Sequence, residues 1–158
     1  MRKNMNNTPL MKEDHTSQIP ALELLIKMGY EYLTPEQALI ERSEKTSGVI
    51  LEEILEKQLR KINNIQYKGE TYSFSNNNIN SAITALKNIP FEGLIKTSEK
   101  VYDLLTLGKS FEENIKGNTT SFTLNYIDWK NIKNNVFHVT EEFEVEKTAS
   151  KEIGRAHV

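Results

Sequence analysis

The hydrophobic period changes once along this chain, and that change sets the class of fold. Up to about Leu107 the apolar residues recur every three or four positions. From Ser121 onward they alternate with polar residues and become β-branched or aromatic. Helices first and strands last predict an α+β domain: a helical N-terminal part followed by antiparallel strands. The first helix is expected from about Gln18 to Met28, with Ser17 as N-cap, Pro20 in its first turn, Leu22, Leu25 and Ile26 inward, and Gly29 at its end. Tyr30 to Leu33 reads as a short extended piece. Thr34-Pro35-Glu36-Gln37 then has the form of a capping box with proline at the first helical position, opening a helix through about Ser43.

Ser47 or Gly48 is expected to open a longer helix, Val49 to Ile62, striped by Leu51, Ile54, Leu55, Leu59 and Ile62. Lys68 to Ser75 can hold a small strand. Two further helices are expected, Ile79 to Asn88 before Pro90, and Ser98 to Leu107 before Gly108. Ser121–Ile127 and Val136–Val145 read as an antiparallel hairpin or neighbouring strands, separated by the polar segment Asp128 to Asn135. Residues 1–13 read as a loose tail.

Composition narrows the function classes. Lys and Arg number 20 against 22 Asp and Glu, a net charge of −2, which excludes a strongly basic nucleic-acid protein but not local basic patches. With no cysteine there is no disulfide framework, thiolate metal site or cysteine nucleophile. The three histidines, His15, His138 and His157, are too far apart in sequence to suggest a histidine-built metal site. No apolar run approaches the roughly 20 residues that span a bilayer, and the N-terminus lacks a signal-peptide core, so a cytoplasmic location is expected. The abundance of Lys, Asn and Ile suits A/T-rich codons, and Asn76-Asn77-Asn78 with Asn80 reads as that bias plus a helix cap.

Few side chains stand out as chemistry. Glu141 falls on the same alternating face as Phe137, Val139, Phe143 and Val145; an acid there is a candidate metal or catalytic carboxylate, or else marks a bulge. Lys57, Arg60 and Lys61 form a strip on the outer face of the long helix. It is read first as a solvated face and second as a DNA-facing one.

Three separated stretches resemble one family. They are His15-Thr16-Ser17-Gln18-Ile19-Pro20-Ala21-Leu22 through Met28-Gly29-Tyr30; Gly48-Val49-Ile50-Leu51-Glu52-Glu53 through Ile62-Asn63; and Tyr126-Ile127-Asp128-Trp129 through Asn134-Asn135-Val136-Phe137-His138-Val139. In this order they are similar to the N-terminal nuclease region of the restriction subunit of type I restriction–modification enzymes, over roughly Asp14 to Lys147. The resemblance implies a PD-(D/E)xK-type nuclease domain ahead of an ATP-driven motor, working on DNA with methylation and specificity subunits. It implies Mg²⁺ and ATP as cofactors of the full-length parent. Cleavage there uses a metal held by an Asp and by the acid of a Glu-x-Lys, because phosphodiester hydrolysis needs developing negative charge stabilised and water sharpened. Glu23 is then a candidate for the acidic residue that precedes the core strands, or simply faces water. Lys116, Lys130 and Lys133 join Lys57, Arg60 and Lys61 as candidate phosphate contacts.

The chain departs from that pattern at the catalytic motif. Its aspartates are Asp14, Asp103 and Asp128, no Glu-x-Lys occurs, and no phosphate-binding Gly-x-x-x-x-Gly-Lys loop is present. Asp128-Trp129-Lys130 fits D-x-K but lacks a partner acid on a preceding strand. The nuclease domain is therefore expected to be incomplete, with no cofactor bound by this chain. Ile153-Gly154-Arg155-Ala156-His157-Val158 is what one frame of a common sequencing adapter encodes, so residues 148–158 are expected to be non-native. The expected function is a piece of a restriction subunit whose parent cleaves unmethylated DNA, itself inactive. The alternative is a small non-catalytic interaction or antirestriction-like protein. A stand-alone nuclease would need Asp128, Glu141 or Glu144 to assemble a metal site.

Overall fold

The computed structural model describes residues 18–141, 143 and 145. Five helices and three short strand pairs alternate along the chain, a mixed α+β architecture. The order is α1 (Ile19–Lys27), β1 (Glu31–Tyr32), α2 (Pro35–Glu41), α3 (Glu52–Ile62), β2 (Asn64–Tyr67), β3 (Glu70–Ser73), α4 (Asn76–Lys87), α5 (Leu94–Leu107), β4 (Lys109–Ile115), β5 (Asn118–Leu124) and β6 (His138–Val139).

The Thr34 capping box is complete. Gln37 N donates to Thr34 Oγ1 at 3.2 Å and Thr34 N donates to Gln37 Oε1 at 2.9 Å, so two backbone donors at the start of α2 are satisfied reciprocally. Gly29 follows α1 with φ +97°, a conformation that suits the residue without a Cβ. α3 starts at Glu52, later than the expected Val49, and Leu51 supplies no side-chain cap. Neither Ser47 nor Gly48 opens it; residues 48–51 are not helical, and Leu51 leaves the helical conformation at ψ 83°. α4 begins at Asn76, with Ser75 Oγ accepting from Asn78 N at 3.4 Å, and α5 extends back to Leu94. Ser17 and the two terminal tails lie outside the described residues.

Both antiparallel pairs are two-residue hairpins, and both turns are Lys-Gly. Lys68 and Gly69 have φ +49° and +81°; Lys116 and Gly117 have +52° and +84°. Positive φ at both central positions is the twist that matches the flanking strands. The first turn sets β2 against β3 with Tyr67 facing Glu70, and the second sets β4 against β5 with Ile115 facing Asn118. The expected pairing of Ser121–Ile127 with Val136–Val145 is not what forms. β5 pairs with β4, and β6 instead runs parallel to β1, with Glu31 opposite His138 and Tyr32 opposite Val139. The reason is local: the Lys116-Gly117 turn brings a polar strand, Lys109–Ile115, into register first. β6 also stops at Val139, so the face expected to carry Phe137, Val139, Glu141, Phe143 and Val145 does not exist as one strand.

The core gathers Leu59 of α3, Ile65 of β2, Phe74, Ile79, Ala82 and Ile83 of α4, Ile115 of β4, Leu124 of β5, and Tyr126. Leu59, Ile79 and Leu124 are fully enclosed, and each contributes about 1.5–3 kcal/mol by leaving water. On β4 the inward positions are Phe111, Glu113 and Ile115. The buried Glu113 carboxylate accepts from Ser75 N at 2.7 Å, Ser75 Oγ at 2.9 Å and Asn78 Nδ2 at 2.8 Å, which ties the strand to the first turn of α4. α1 buries no residue fully. It is joined to the rest through β1, where Glu31 N donates to Phe137 O at 2.8 Å and Leu33 N to Val139 O at 2.9 Å. Among the described residues, no helix is long and apolar enough to cross a membrane.

Candidate nucleic-acid interface

The segment leaving β5 is closed by its own side chains. Asp128 Oδ1 accepts from Lys130 N at 3.1 Å and Asn131 N at 2.9 Å, and Oδ2 accepts from Asn134 Nδ2 at 2.8 Å. Asp128 N donates to Asn135 Oδ1 at 2.9 Å, while Asn135 Nδ2 returns a bond to Asp128 O at 3.0 Å. Asp and Asn suit this role because their short side chains imitate the backbone groups of a turn. The backbone N–H of Asn131, then the Asn134 amide, hold the Asp128 carboxyl below its usual range.

The closed loop is fastened to three helices. Gln58 Nε2 of α3 donates to Asn134 O at 2.9 Å. Trp129 Nε1 donates to Leu105 O of α5 at 3.1 Å. Tyr126 Oη donates to Ala82 O of α4 at 2.7 Å, and burial pushes its phenol up to about 12. At the foot of the loop, Asn63 Nδ2 donates to Leu59 O at 2.9 Å and Asn125 O at 2.8 Å, and Asn63 Oδ1 accepts from Asn125 N at 2.7 Å. Trp129 is thereby held in place while 55% exposed. Lys130 and Lys133 stand exposed on the same loop. A groove of about 370 Å³ opens between Trp129, Asn125, Ile62 of α3 and Thr106 of α5.

The candidate cations divide into two groups. Lys57 pairs with Glu53 at 3.7 Å, Arg60 with Glu56 at 2.8 Å, and Lys116 with Glu70 at 2.7 Å. Among the described residues, Lys61, Lys130 and Lys133 form no ion pair. Lys130 and Lys133 share the loop and Lys61 lies one turn of α3 beyond Gln58, whereas Lys57 and Arg60 each have a carboxylate one turn away on the helix.

The candidate acids are not brought together. Glu23 is exposed on α1. Glu141 accepts from Tyr32 Oη at 2.9 Å, and that bond raises the Tyr32 phenol above its ordinary value. Both oxygens of Asp128 are engaged inside its loop. Glu144 lies outside the described residues. Among the described residues, no cluster of three or more His, Asp or Glu side chains could hold a metal. Sequence reasoning missed the roles of Gln58, Asn63 and Thr106, because each joins the site across tens of residues; Gln58 and Asn63 fall in the stretch Gly48 to Asn63, but nothing local there marks their hydrogen bonds.

Comparison with curated proteins and with solved structures gave no match. Comparison with known families gave one, described as type I restriction enzyme R protein N terminus, over residues 10–154. The loop closed by Asp128, Asn134 and Asn135 falls inside that span, and with nearly the whole sequence matched, the chain belongs to the family of type I restriction enzyme R protein N-terminal regions.

Proposed function

We propose that this chain forms the scaffold and a DNA-contacting face of a restriction subunit whose parent cleaves unmethylated DNA while an ATP-driven motor translocates it. The family match carries the reading. Lys130 and Lys133 on the loop and Lys61 on α3, none of them in an ion pair among the described residues, support the DNA contact, since such cations release counterions from phosphate while already paired ones do so at a cost. The methylation and specificity subunits are the partners this reading supplies. Mg²⁺ and ATP belong to the parent's chemistry, and the donor sets described here do not fit them. Among the described residues, Glu141, Glu31 and Asp128 are each engaged, by Tyr32, His138 and the loop, and the sequence given contains no Gly-x-x-x-x-Gly-Lys motif. No catalytic step is assigned to this chain, which acts by positioning DNA.

Retention of short DNA at low salt, offered both as a single strand and as a duplex, tests this. Lys61→Ala, Lys130→Ala and Lys133→Ala combined should weaken binding at least tenfold and flatten its salt dependence, whereas Lys57→Ala with Arg60→Ala should change it little. Loss confined to the Lys57/Arg60 pair, or no DNA binding at all, overturns the assignment. Mg²⁺-dependent nicking by the pure chain, abolished in Glu141→Ala, would move catalysis into it.

A further inference from the structure

The geometry points to Trp129 as a stacking platform for an unpaired nucleobase, with Lys130 and Lys133 holding the flanking phosphates, so that the strand this loop takes is single-stranded. The inference rests on the DNA-contact reading above and adds which form of nucleic acid is recognised and by which ring. Trp129 is the only tryptophan in the chain and is 55% exposed. Its indole N–H is already spent on Leu105 O, and the backbone on its C-terminal side is locked by Asp128. A large aromatic face that is both exposed and immobile loses little freedom on binding.

The charges around it are arranged for a polyanion. Lys130 and Lys133 are exposed on the same loop as the ring and form no ion pair among the described residues. The one acid in the loop, Asp128, spends its oxygens on three donors within the loop. Behind the ring lies the groove of about 370 Å³, lined by Asn125 and by Thr106, whose hydroxyl has no hydrogen-bond partner among the described residues. A flat aromatic ring on a loop that also carries two lysines, beside a groove lined by Asn125, Thr106 and Lys130, matches a base with its phosphates. The bases of an intact duplex are stacked on one another and cannot reach such a ring, so single strands are favoured.

Because Trp129 is unique, the emission of the unmodified full chain reports contact directly. Oligothymidylate, a duplex of equal length, inorganic tripolyphosphate and polyglutamate are titrated at low salt. Oligothymidylate should quench emission saturably, and the other three should not. By anisotropy of a labelled oligothymidylate, Trp129→Ala should bind about tenfold more weakly and Trp129→Phe should recover most of that loss. Lys130→Ala and Lys133→Ala should each lower the salt slope by about 0.7. Circular dichroism of each variant, together with the recovery by phenylalanine, separates lost stacking from lost folding. Oligothymidylate binding without quenching, or with unchanged affinity in a folded Trp129→Ala, overturns the stacking inference and leaves the DNA reading intact. Equal quenching by tripolyphosphate reduces the site to charge alone, and equal quenching by polyglutamate makes it a protein-docking face; either overturns the inference. If neither strand nor duplex binds, both readings fall.

Discussion

Gly108 shows how much one residue can decide. It ends α5 and begins β4 with φ +72°, and a Cβ built there would lie 2.4 Å from Leu124 O. Gly108→Ala therefore meets both a left-handed backbone and a carbonyl. It should cost about 2 kcal/mol or more, read as a fall of about 2–4 °C in Tm per kcal/mol in a thermal melt. A helix followed by glycine was legible in the sequence; the approach of Leu124 was not. Asn63 was not legible at all. It is buried and makes two bonds to Asn125, just after β5, and one back to Leu59 O of α3. Asn63→Ala strands those backbone groups and should destabilise by about 2–3 kcal/mol, measured by denaturant unfolding. Asp128 makes a pH prediction. Its folded value is lowered, mainly by the Asn131 N–H, so its contribution is present above the ordinary 3.8 and is lost as pH falls through the folded value. Trp129 emission should therefore change in an acid step below that pH, and the step should be absent in Asp128→Asn.

At the scale of elements, helices were easier to read than strands. The Thr34 box carries its geometry in four consecutive residues, and Thr34→Ala should cost about 1 kcal/mol in a thermal melt; a change below a few tenths would mean that packing of Ala38 alone holds α2. The stripe ending at Ile62 identified α3, though its start moved to Glu52 because hydrophobic period continues into segments that are not helical. Lys68–Ser75 does hold β3 and Ser121–Ile127 overlaps β5, but their partners β2 and β4 were missed for two physical reasons. Lys-Gly is a weaker turn signal than Asn-Gly, since lysine enters positive φ reluctantly, yet Lys68 and Lys116 both do so. And β4 exposes Lys109, Ser110, Glu112 and Asn114, so its apolar content is low and its inward acid, Glu113, hides the alternation. Glu113 is a second acid on an inward face, on a strand that the sequence pattern did not mark. Only the structure supplies its partners, Ser75 and Asn78, more than thirty residues away.

At the scale of the whole molecule, the first and last described strands meet: β1 and β6 pair over two residues each, across more than a hundred positions of chain. Short strands at that separation cannot be argued from local pattern, because closing so long a loop is decided by what else is packed. The outer end of α5 carries Phe91, Leu94 and Ile95, exposed by 80, 78 and 75%. Phe91→Lys with Ile95→Lys should leave stability within about 0.5 kcal/mol while raising the concentration at which the chain aggregates, checked by thermal melting and light scattering. A large fall in stability would show that these side chains are packed in solution. The sequence by itself determined the class of fold, the helices though not all their starts, the Thr34 capping box, the Asp128–Asn135 segment and the family it marks, because each is written in residues close enough to act on one another directly. Tertiary structure decided which strands pair, which lysines keep their charge free, and how Trp129 is held. Those outcomes depend on groups that meet only after the chain has closed, such as Leu105 O with the indole and Gln58 with the loop carbonyl.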